Sequence, residues 1–213
     1  LLVLCMVVSF FAPAAGYASE TGDVETELID LSHENPTDWG FTLGNKDEVK
    51  RWQTFTPRFD GSLVQIGLYL VEKIGEGDLS PLVVELYAAP GGKPVGEPLT
   101  SVSVPPDQVT FQSEMIVDLP YPNLTGGNQY AIVLTAETIN ENGLMHGYSW
   151  PTREVAGNEK FGKYSGGQWV DESFLGDGWL KVYTQYVKQP PVPTTLNLSP
   201  AYVNMMPGET VML

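Results

Sequence analysis

The stretch of sequence that decides the fold is VKRWQTFTPRFDGSLVQIGLYLVEKIGEGDLSPLVVELYAAP, residues 49–90. Apolar side chains recur there at every second position in two sets: Val64, Ile66, Leu68 and Leu70, and then Leu82, Val84, Leu86 and Ala88. Successive side chains of a β-strand point to opposite faces, so each set forms one apolar wall. Residues 72–81 between the sets are polar and glycine-rich, as in a loop. Two strands that each bury one face predict a β-sandwich.

Alternation continues on both sides of this stretch. An upstream strand is predicted at 52–56, and downstream strands at 94–105, 109–119, 130–134 and 179–187, with shorter ones near 147–150 and 161–164. Residues 120–128 are predicted to form a turn because of their proline, glycine and asparagine content. Apolar residues with the 3.6-residue period of a helix do not recur after the first 18 residues. The predicted fold class is therefore all-β, an antiparallel β-sandwich of the jelly-roll type.

The chain divides into four predicted segments. Residues 1–18 are predicted to be a signal peptide, because their apolar run LLVLCMVVSFFAPAA has the length of a signal-peptide core and is too short to span a bilayer comfortably. Residues 19–188 are predicted to be the β-sandwich domain, and residues 189–193, QPPVP, a stiff linker. Residues 194–213 start a new alternating pattern, which predicts the beginning of a further domain and more domains C-terminal to it.

Charge and cysteine content restrict the partners and the compartment. The chain has 26 Asp and Glu against 11 Lys and Arg, a formal net charge of −15. Such a surface repels nucleic acid and anionic lipid, so neither a nucleic-acid partner nor membrane insertion is predicted. The single cysteine, Cys5, lies in the signal-like run, and a secreted eukaryotic domain of this size often has disulfides. We therefore predict a secreted or extracellular bacterial protein, with attachment to the cell surface as a further option.

The sequence offers little for catalysis. It has no G-x-S-x-G, H-E-x-x-H or phosphate-loop motif, and its two histidines, His33 and His146, lie far apart without ligand spacing. The inward positions of the predicted strands hold Val, Ile and Leu instead of the paired carboxylates of a glycosidase. We predict a non-catalytic module, with a hydrolase whose carboxylates come from separate loops as the weaker alternative.

The sequence predicts no required cofactor, and it leaves a structural calcium ion open. Calcium needs clustered carboxylate and carbonyl oxygens. Four acidic residues lie in predicted loops that contain glycine: Asp60, Asp78, Asp171 and Asp177. No twelve-residue loop with regularly spaced ligands is present. We therefore assign no metal ligand, and surface charge is the simpler explanation for these residues.

Aromatic and polar side chains gather in residues 136–178, where the regular alternation fails. Aromatic rings pack well against the apolar faces of sugars, while amides and charged groups bond to their hydroxyls. The candidate ligand-binding residues are Tyr148, Trp150, Arg153, Tyr164, Gln168 and Trp169. The alternative is that these rings cap the core, because large aromatic side chains are mostly buried. Trp52 and Trp179, which lie inside strands, are predicted to be structural.

Several short segments carry a resemblance to known sandwich domains. They are Trp52-Gln53-Thr54-Phe55-Thr56-Pro57, Ile66-x-Leu68-x-Leu70, Val84-x-Leu86-Tyr87, Tyr130-Ala131-Ile132-Val133-Leu134 and Gly178-Trp179-Leu180-x-Val182-Tyr183. Together they resemble exported bacterial jelly-roll modules, which are similar to galactose-binding-like sandwiches, carbohydrate-binding modules and the sandwich domains of anchored surface proteins. The resemblance implies binding of a glycan or another cell-surface ligand. The alternative it leaves open is a structural spacer or protein-adhesion domain of a multidomain surface protein.

A second resemblance concerns the end of the sequence. Residues 196–213, LNLSPAYVNMMPGETVML, resemble the first two strands of bacterial immunoglobulin-like repeats, where a leucine-serine-proline is followed by a proline-glycine turn. Those repeats occur on surface and adhesion proteins and on multimodular secreted enzymes. The resemblance implies that an Ig-like domain begins in this segment.

Overall fold

The structure is a computed structural model that describes residues 23–32, 40–43, 50–74, 79–136, 147–153 and 159–188. At residues 73, 74 and 153 it describes the backbone only. The predicted signal peptide (1–18), linker (189–193) and Ig-like segment (194–213) lie outside the described residues, as do His33, Asp78 and His146. Within the described ranges, no helix has the length and apolar character needed to cross a membrane.

The described chain is built from strands and two single 3₁₀ turns, Pro106–Gln108 and Ser173–Leu175. The strands are β1 (Val24–Asp30), β2 (Phe41–Leu43), β3 (Lys50–Phe55), β4 (Gly61–Tyr69), β5 (Lys73–Ile74), β6 (Leu82–Ala88), β7 (Val95–Val104), β8 (Glu114–Leu124), β9 (Tyr130–Thr135), β10 (Gly147–Trp150), β11 (Thr152–Arg153), β12 (Phe161–Ser165), β13 (Gln168–Asp171), β14 (Asp177–Gly178) and β15 (Leu180–Val187).

Two main sheets form the domain, and the strand pairs within them are antiparallel. One sheet has six strands in the order β13-β12-β3-β9-β6-β7, and the other has four in the order β1-β15-β4-β8. Smaller sheets, β2-β10-β5 and β11-β14, accompany them. The all-β antiparallel sandwich predicted from the alternating sequence is confirmed.

The core lies between the two main sheets, because one continuous cluster of buried residues takes side chains from both. The four-stranded sheet supplies Ile66 and Val182, and the six-stranded sheet supplies Phe55, Leu86 and Ile132, each with no exposed surface. The inward face of β8, with Met115, Val117 and Leu119, is buried as predicted, while Glu114, Ile116 and Asp118 point outward and are exposed. Each strand therefore buries one face, as its period of two requires.

The predicted inward position of Val64 is wrong, and a β-bulge is the reason. Leu63 is fully buried, whereas Val64 is only half-buried. The pairing of β4 with β8 shifts register between Leu63 and Gln65. On the other side of β4, Leu63 and Gln65 pair with Thr184 and Tyr183, which are adjacent in β15, so Val64 has no partner there. Val64 is thus the extra residue of the bulge, and one extra residue reverses the facing of every position before it.

The predicted turn over residues 120–128 begins too early. Strand β8 continues through Pro120 and Pro122 to Leu124, and a turn follows at residues 125–129. Proline has no N–H for a ladder hydrogen bond, which confines it to edge strands and bulges. β8 is an edge strand of the four-stranded sheet and pairs in that sheet only with β4, so it accommodates both prolines.

Candidate functional site

A second, smaller apolar cluster lies on the outer face of the six-stranded sheet. In β3, Phe55 points into the main core, so Trp52, an odd number of residues away, points to the opposite face. Trp52 there joins Tyr87 of β6 and Val133 of β9 in a buried cluster, and Trp169 of β13 packs against it. These four residues, with Tyr164, are called the Trp169 platform below. A sheet face outside the main core thus has its own aromatic cluster.

The β12–β13 hairpin places the two outermost rings of the platform. Gly166 and Gly167 have φ angles of +58° and +79°, the conformation of the two-residue turn that suits tight hairpins. Tyr164 and Trp169 are therefore direct cross-strand partners, with ring centroids 4.7 Å apart and planes at 63°. Trp169 also meets Tyr87 edge-on at 5.8 Å. Both Tyr164 and Trp169 are half-buried, so each ring keeps accessible surface.

Gly162 of β12 makes room for the inner ring of the platform. A Cβ at this position would lie 2.7 Å from the Trp52 ring and 2.0 Å from the carbonyl oxygen of Val170. The Trp52 indole N–H also points to the carbonyl oxygen of Lys163 at 3.4 Å. Trp52, which has no exposed surface, therefore fixes the base on which Trp169 rests. The prediction that Trp52 is structural agrees with this position.

A charged pair lies beside the aromatic rings on the same sheet face. Lys50 and Glu85 form an ion pair at 3.1 Å, and the Thr135 hydroxyl is 3.4 Å from the same carboxylate oxygen. Burial is the largest single effect on Lys50 and disfavours its ammonium, but its interactions with Glu85 and Tyr87 together outweigh burial and raise the lysine pKa. Burial, followed by the Glu85 charge, also raises the pKa of Tyr87. The phenol of Tyr87 is therefore a neutral donor at physiological pH.

Two of the predicted ligand-binding residues lie in the main core. Tyr148 and Trp150 of β10 have no exposed surface. The Tyr148 hydroxyl donates to the carbonyl oxygen of Ser80 at 2.7 Å, and burial raises its pKa to about 12. The Trp150 indole N–H donates to the carbonyl oxygen of Trp179 at 2.8 Å, and its ring meets Phe161 edge-on. Neither ring offers a face to a ligand in this conformation.

The remaining predicted residues divide further. Gln168 is exposed at the start of β13, next to the hairpin turn. Arg153 pairs through its backbone with Asp177, and its side chain lies outside the described residues. The structure therefore brings together Tyr164 and Trp169, with Gln168 beside them in the chain, and separates them from Tyr148 and Trp150.

Sequence reasoning missed Tyr87, Lys50 and Glu85 as neighbours of this site. Tyr87 and Glu85 occupy the outward positions of a strand whose inward positions are Leu82, Val84 and Leu86. An aromatic residue at an outward position of a strongly apolar strand was the available signal. The signal gains meaning only when the pairing of β3, β12 and β13 is known.

The acidic residues considered for calcium are dispersed. In the described part of the chain, no group of three or more His, Cys, Asp or Glu side chains is arranged to hold a metal ion. Asp171 accepts bonds from the backbone and hydroxyl of Ser173. Burial raises its pKa, but these bonds and the charges of Lys160 and Lys93 together outweigh burial and lower it. Asp177 is buried against Gln53, and Asp60 accepts the N–H of Gly126. The option of a structural calcium ion stays untested.

Comparison with known proteins gives a fold relationship. No family model matches the chain, and no curated protein sequence matches it. The structure is similar to the clostridial cysteine protease Cwp84 after propeptide cleavage, with a TM-score of 0.50, 12% identity, and coverage of 76% of this chain and 40% of that one. It also overlaps a structure of the cysteine protease and lectin-like domains of Cwp84, a surface layer associated protein of Clostridium difficile, with a TM-score of 0.46, 16% identity, and coverage of 75% and 36%. This chain thus corresponds to less than half of those chains, and the first similarity shows a shared fold.

Proposed function

We propose that this sandwich is a non-catalytic module of a secreted bacterial surface protein, and that it binds glycan on the Trp169 platform. The observation that carries the proposal is the half-buried ring pair of Tyr164 and Trp169, in which Trp169 packs on a buried aromatic base outside the main core. A ring whose edge is already packed loses little conformational freedom when a sugar stacks on it. Binding to such a preorganised surface therefore has a smaller entropic cost.

The chemistry around the rings supports a sugar as the ligand. A pyranose has an apolar C–H face and hydroxyls that both donate and accept hydrogen bonds. Trp169 and Tyr164 supply apolar ring surface. Tyr87 and the Lys50–Glu85 pair add polar groups on the same sheet face. Gln168 pairs with Ser165 and points to the other face of the hairpin, so its amide is not assigned to this surface.

Two further features support a module of an exported, multidomain protein. The apolar run at residues 1–18 has the character of a signal peptide. The same fold forms part of a larger clostridial chain, of which the matching region is 40%. A sandwich that serves as one module among several agrees with both features.

The second candidate is a structural spacer or protein-adhesion domain. It is favoured by the burial of Tyr148 and Trp150, because two of the six predicted ligand contacts stabilise the core instead. In that case Trp169 covers Trp52 and Tyr87 and has no ligand. The two candidates differ in one measurable respect, which is whether Trp169 contributes more to retention on glycan or to folding.

The test compares retention of the full chain on immobilised bacterial cell-wall polysaccharide and on a glycan array. We expect Trp169→Ala and Tyr164→Ala to weaken retention about tenfold or more, which corresponds to about 1.4 kcal/mol of binding free energy. Trp169→Phe should retain part of it. Phe174→Ala is the matched control, because Phe174 is 79% exposed and is not part of the platform.

Each outcome separates the candidates. Loss of retention in both platform variants, with Phe174→Ala unchanged, supports glycan binding. Equal retention of the wild type and Trp169→Ala contradicts it, and so does the absence of wild-type retention on every glycan tested. A large loss of thermal stability in Trp169→Ala with no glycan bound by the wild type favours the spacer.

A further inference from the structure

A cleft of about 520 Å³ opens at one end of the sandwich, between the loop after β3 and the end of β15. Its lining includes Glu25, Arg58, Phe59, Asp60, Tyr186 and Lys188. A neighbouring cleft of about 670 Å³ shares Asp60 and Tyr186 with it. Tyr164 of the Trp169 platform pairs with Lys50, at the start of β3, whereas the cleft lies beside the loop that follows the end of β3. The cleft is therefore separate from the platform.

One wall of the cleft is aromatic and fixed in position. The ring of Phe59 stacks on that of Tyr186, with centroids 4.1 Å apart and planes at 20°. The Tyr186 hydroxyl donates to Glu25 at 2.6 Å, and this bond orients the Tyr186 ring of the stack. Phe59 is 37% exposed, so the stack keeps accessible apolar surface at the cleft. Two aligned rings beside a concave surface are suited to the flat apolar face of a small cyclic ligand.

The loop that bears Phe59 is also held in place. The backbone N–H of Arg58 lies 3.1 Å from a carboxylate oxygen of Glu27, and Asp60 accepts the N–H of Gly126 at 2.8 Å. A Cβ at Gly126 would lie 2.6 Å from the carbonyl oxygen of Arg58, so only glycine allows this close approach. The cleft is therefore formed before any ligand arrives.

Two of the charged groups of the cleft, Glu25 and Lys188, bond to each other, whereas Arg58 and Asp60 keep hydrogen-bonding capacity for a ligand. Glu25 accepts bonds from Lys188 at 2.7 Å and from Tyr186, and these bonds lower its pKa. Asp60 has a second carboxylate oxygen that bonds to no described residue. The guanidinium of Arg58 lies 5.7 Å from the centre of the Phe59 ring and forms no ion pair with a described residue. An acceptor and a donor thus remain at the aromatic wall.

The charges at the cleft favour a neutral ligand. Arg58 and Lys188 balance Glu25 and Asp60, and the chain as a whole carries −15, so an anionic ligand gains no net attraction. A neutral sugar matches the groups that remain: vicinal hydroxyls both donate and accept, and so pair with a carboxylate and a guanidinium together. We propose that this cleft is a second binding site, specific for a neutral hexose residue of a glycan.

The cleft and the Trp169 platform are proposed to bind the same class of ligand, a glycan, but they have no residue in common. Two sites at opposite ends of β3 would let one domain contact two positions of a polysaccharide, or two separate chains. Binding at the second site is then governed by an effective concentration, which raises the avidity for a repeating polymer above the affinity for one sugar.

The test is a titration of the isotope-labelled full chain with neutral hexose and N-acetylhexosamine trisaccharides, and with uronic-acid counterparts in parallel. Backbone amide shifts of Phe59 and Gly126 report the cleft, and those of Gly166 and Trp169 report the platform. The variants are Arg58→Ala and Asp60→Asn. Val187→Ala is the matched control, because Val187 lines the same cleft without a polar group.

A neutral trisaccharide should shift the amides of Phe59 and Gly126 in the wild type, in Val187→Ala and in Trp169→Ala. Arg58→Ala and Asp60→Asn should weaken this response about tenfold or more. Shifts confined to the platform overturn the second site while leaving the proposed function intact. A response to uronic-acid sugars alone overturns the neutral ligand class, and wild-type affinity in both variants overturns the assigned residues.

Discussion

The indole of Trp169 meets the phenol of Tyr164 edge-on, with ring centroids 4.7 Å apart, as direct cross-strand partners in the β12–β13 hairpin. Opposed aromatic residues on one sheet face stabilise a strand pair. Trp169 of this pair packs against Trp52 and Tyr87, so its indole anchors the hairpin to the outer face of the sheet. The same contact therefore orders the hairpin and determines which ring surfaces remain accessible.

The two groups of predicted aromatic residues should differ in their effect on stability. Trp150→Ala removes a fully buried ring and its indole hydrogen bond, so we expect a loss of about 3–5 kcal/mol in the free energy of unfolding. Trp169→Ala removes a half-buried ring, and we expect about 1–2 kcal/mol. Urea denaturation of both variants measures the difference. Equal losses would contradict the assignment of Trp169 to a partly exposed platform.

Gly162 should be sensitive to the smallest substitution. Gly162→Ala places a methyl group against the Trp52 ring and the carbonyl oxygen of Val170, so we expect a loss of about 1–3 kcal/mol from overpacking. The displaced hairpin should also weaken ligand retention on the platform. Gly91→Ala is the control, because a Cβ there meets no atom within 4 Å and the stability should be nearly unchanged. Thermal unfolding of the two variants provides the comparison.

Asp177 should make stability depend on pH in a direction opposite to that of most carboxylates. Burial raises its pKa above the ordinary value of 3.8, so the native state binds the proton more tightly than the unfolded state does. Its contribution to stability therefore declines as pH rises from about 3.8 through the raised pKa, and it is least favourable at neutral pH.

The variant Asp177→Asn tests this prediction, because the amide oxygen can still accept from the Gln53 side chain. We expect the variant to be more stable than the wild type at pH 7, and the difference to shrink as the pH falls through the raised pKa of Asp177 towards 3.8. Urea denaturation at a series of pH values measures it. A variant less stable than the wild type at pH 7 would show that the ionised form is favoured in the fold.

Glu172 should matter more than the other ion-pairing carboxylates. It pairs with Arg51, which is 2% exposed, and with Lys163 at 3.0 Å. Glu172→Ala leaves the buried guanidinium of Arg51 without this carboxylate, so we expect a loss of about 3–5 kcal/mol. Lys160→Ala breaks an exposed pair with Asp171 and should cost about 1 kcal/mol or less. A similar small loss for both variants would show that Arg51 is stabilised by its other contacts.

Most strands could be located from the sequence, although the strand predicted at 109–119 is observed as β8 at Glu114–Leu124. The alternation of Leu82, Val84 and Leu86 predicts their common face, and all three are fully buried. The error at Val64 has a local cause, because a bulge inserts one residue without leaving a clear mark in an apolar stretch. A period of two is therefore a reliable signal for strands, but it does not reveal an insertion within one.

The candidate site was less predictable than the fold. Tyr148, Trp150, Tyr164 and Trp169 are alike in residue type and in their glycine-rich surroundings, yet two are in the core and two are at the surface. Gly178 packs against the Trp150 ring, so the burial of that ring depends on a residue of another strand. Such contacts are not encoded in the residues next to Trp150.

By itself, the sequence determined that the chain is an antiparallel sandwich and which face of most strands is buried, because alternation is a local property of neighbouring side chains. The tertiary structure alone decided which aromatic rings are accessible. Trp169 rests on Trp52 because β12 joins β13 to β3, and Phe59 stacks on Tyr186 because the loop after β3 meets the end of β15. The exposure of a ring depends on strands that are distant in the chain, and their pairing is fixed only when the whole sheet forms.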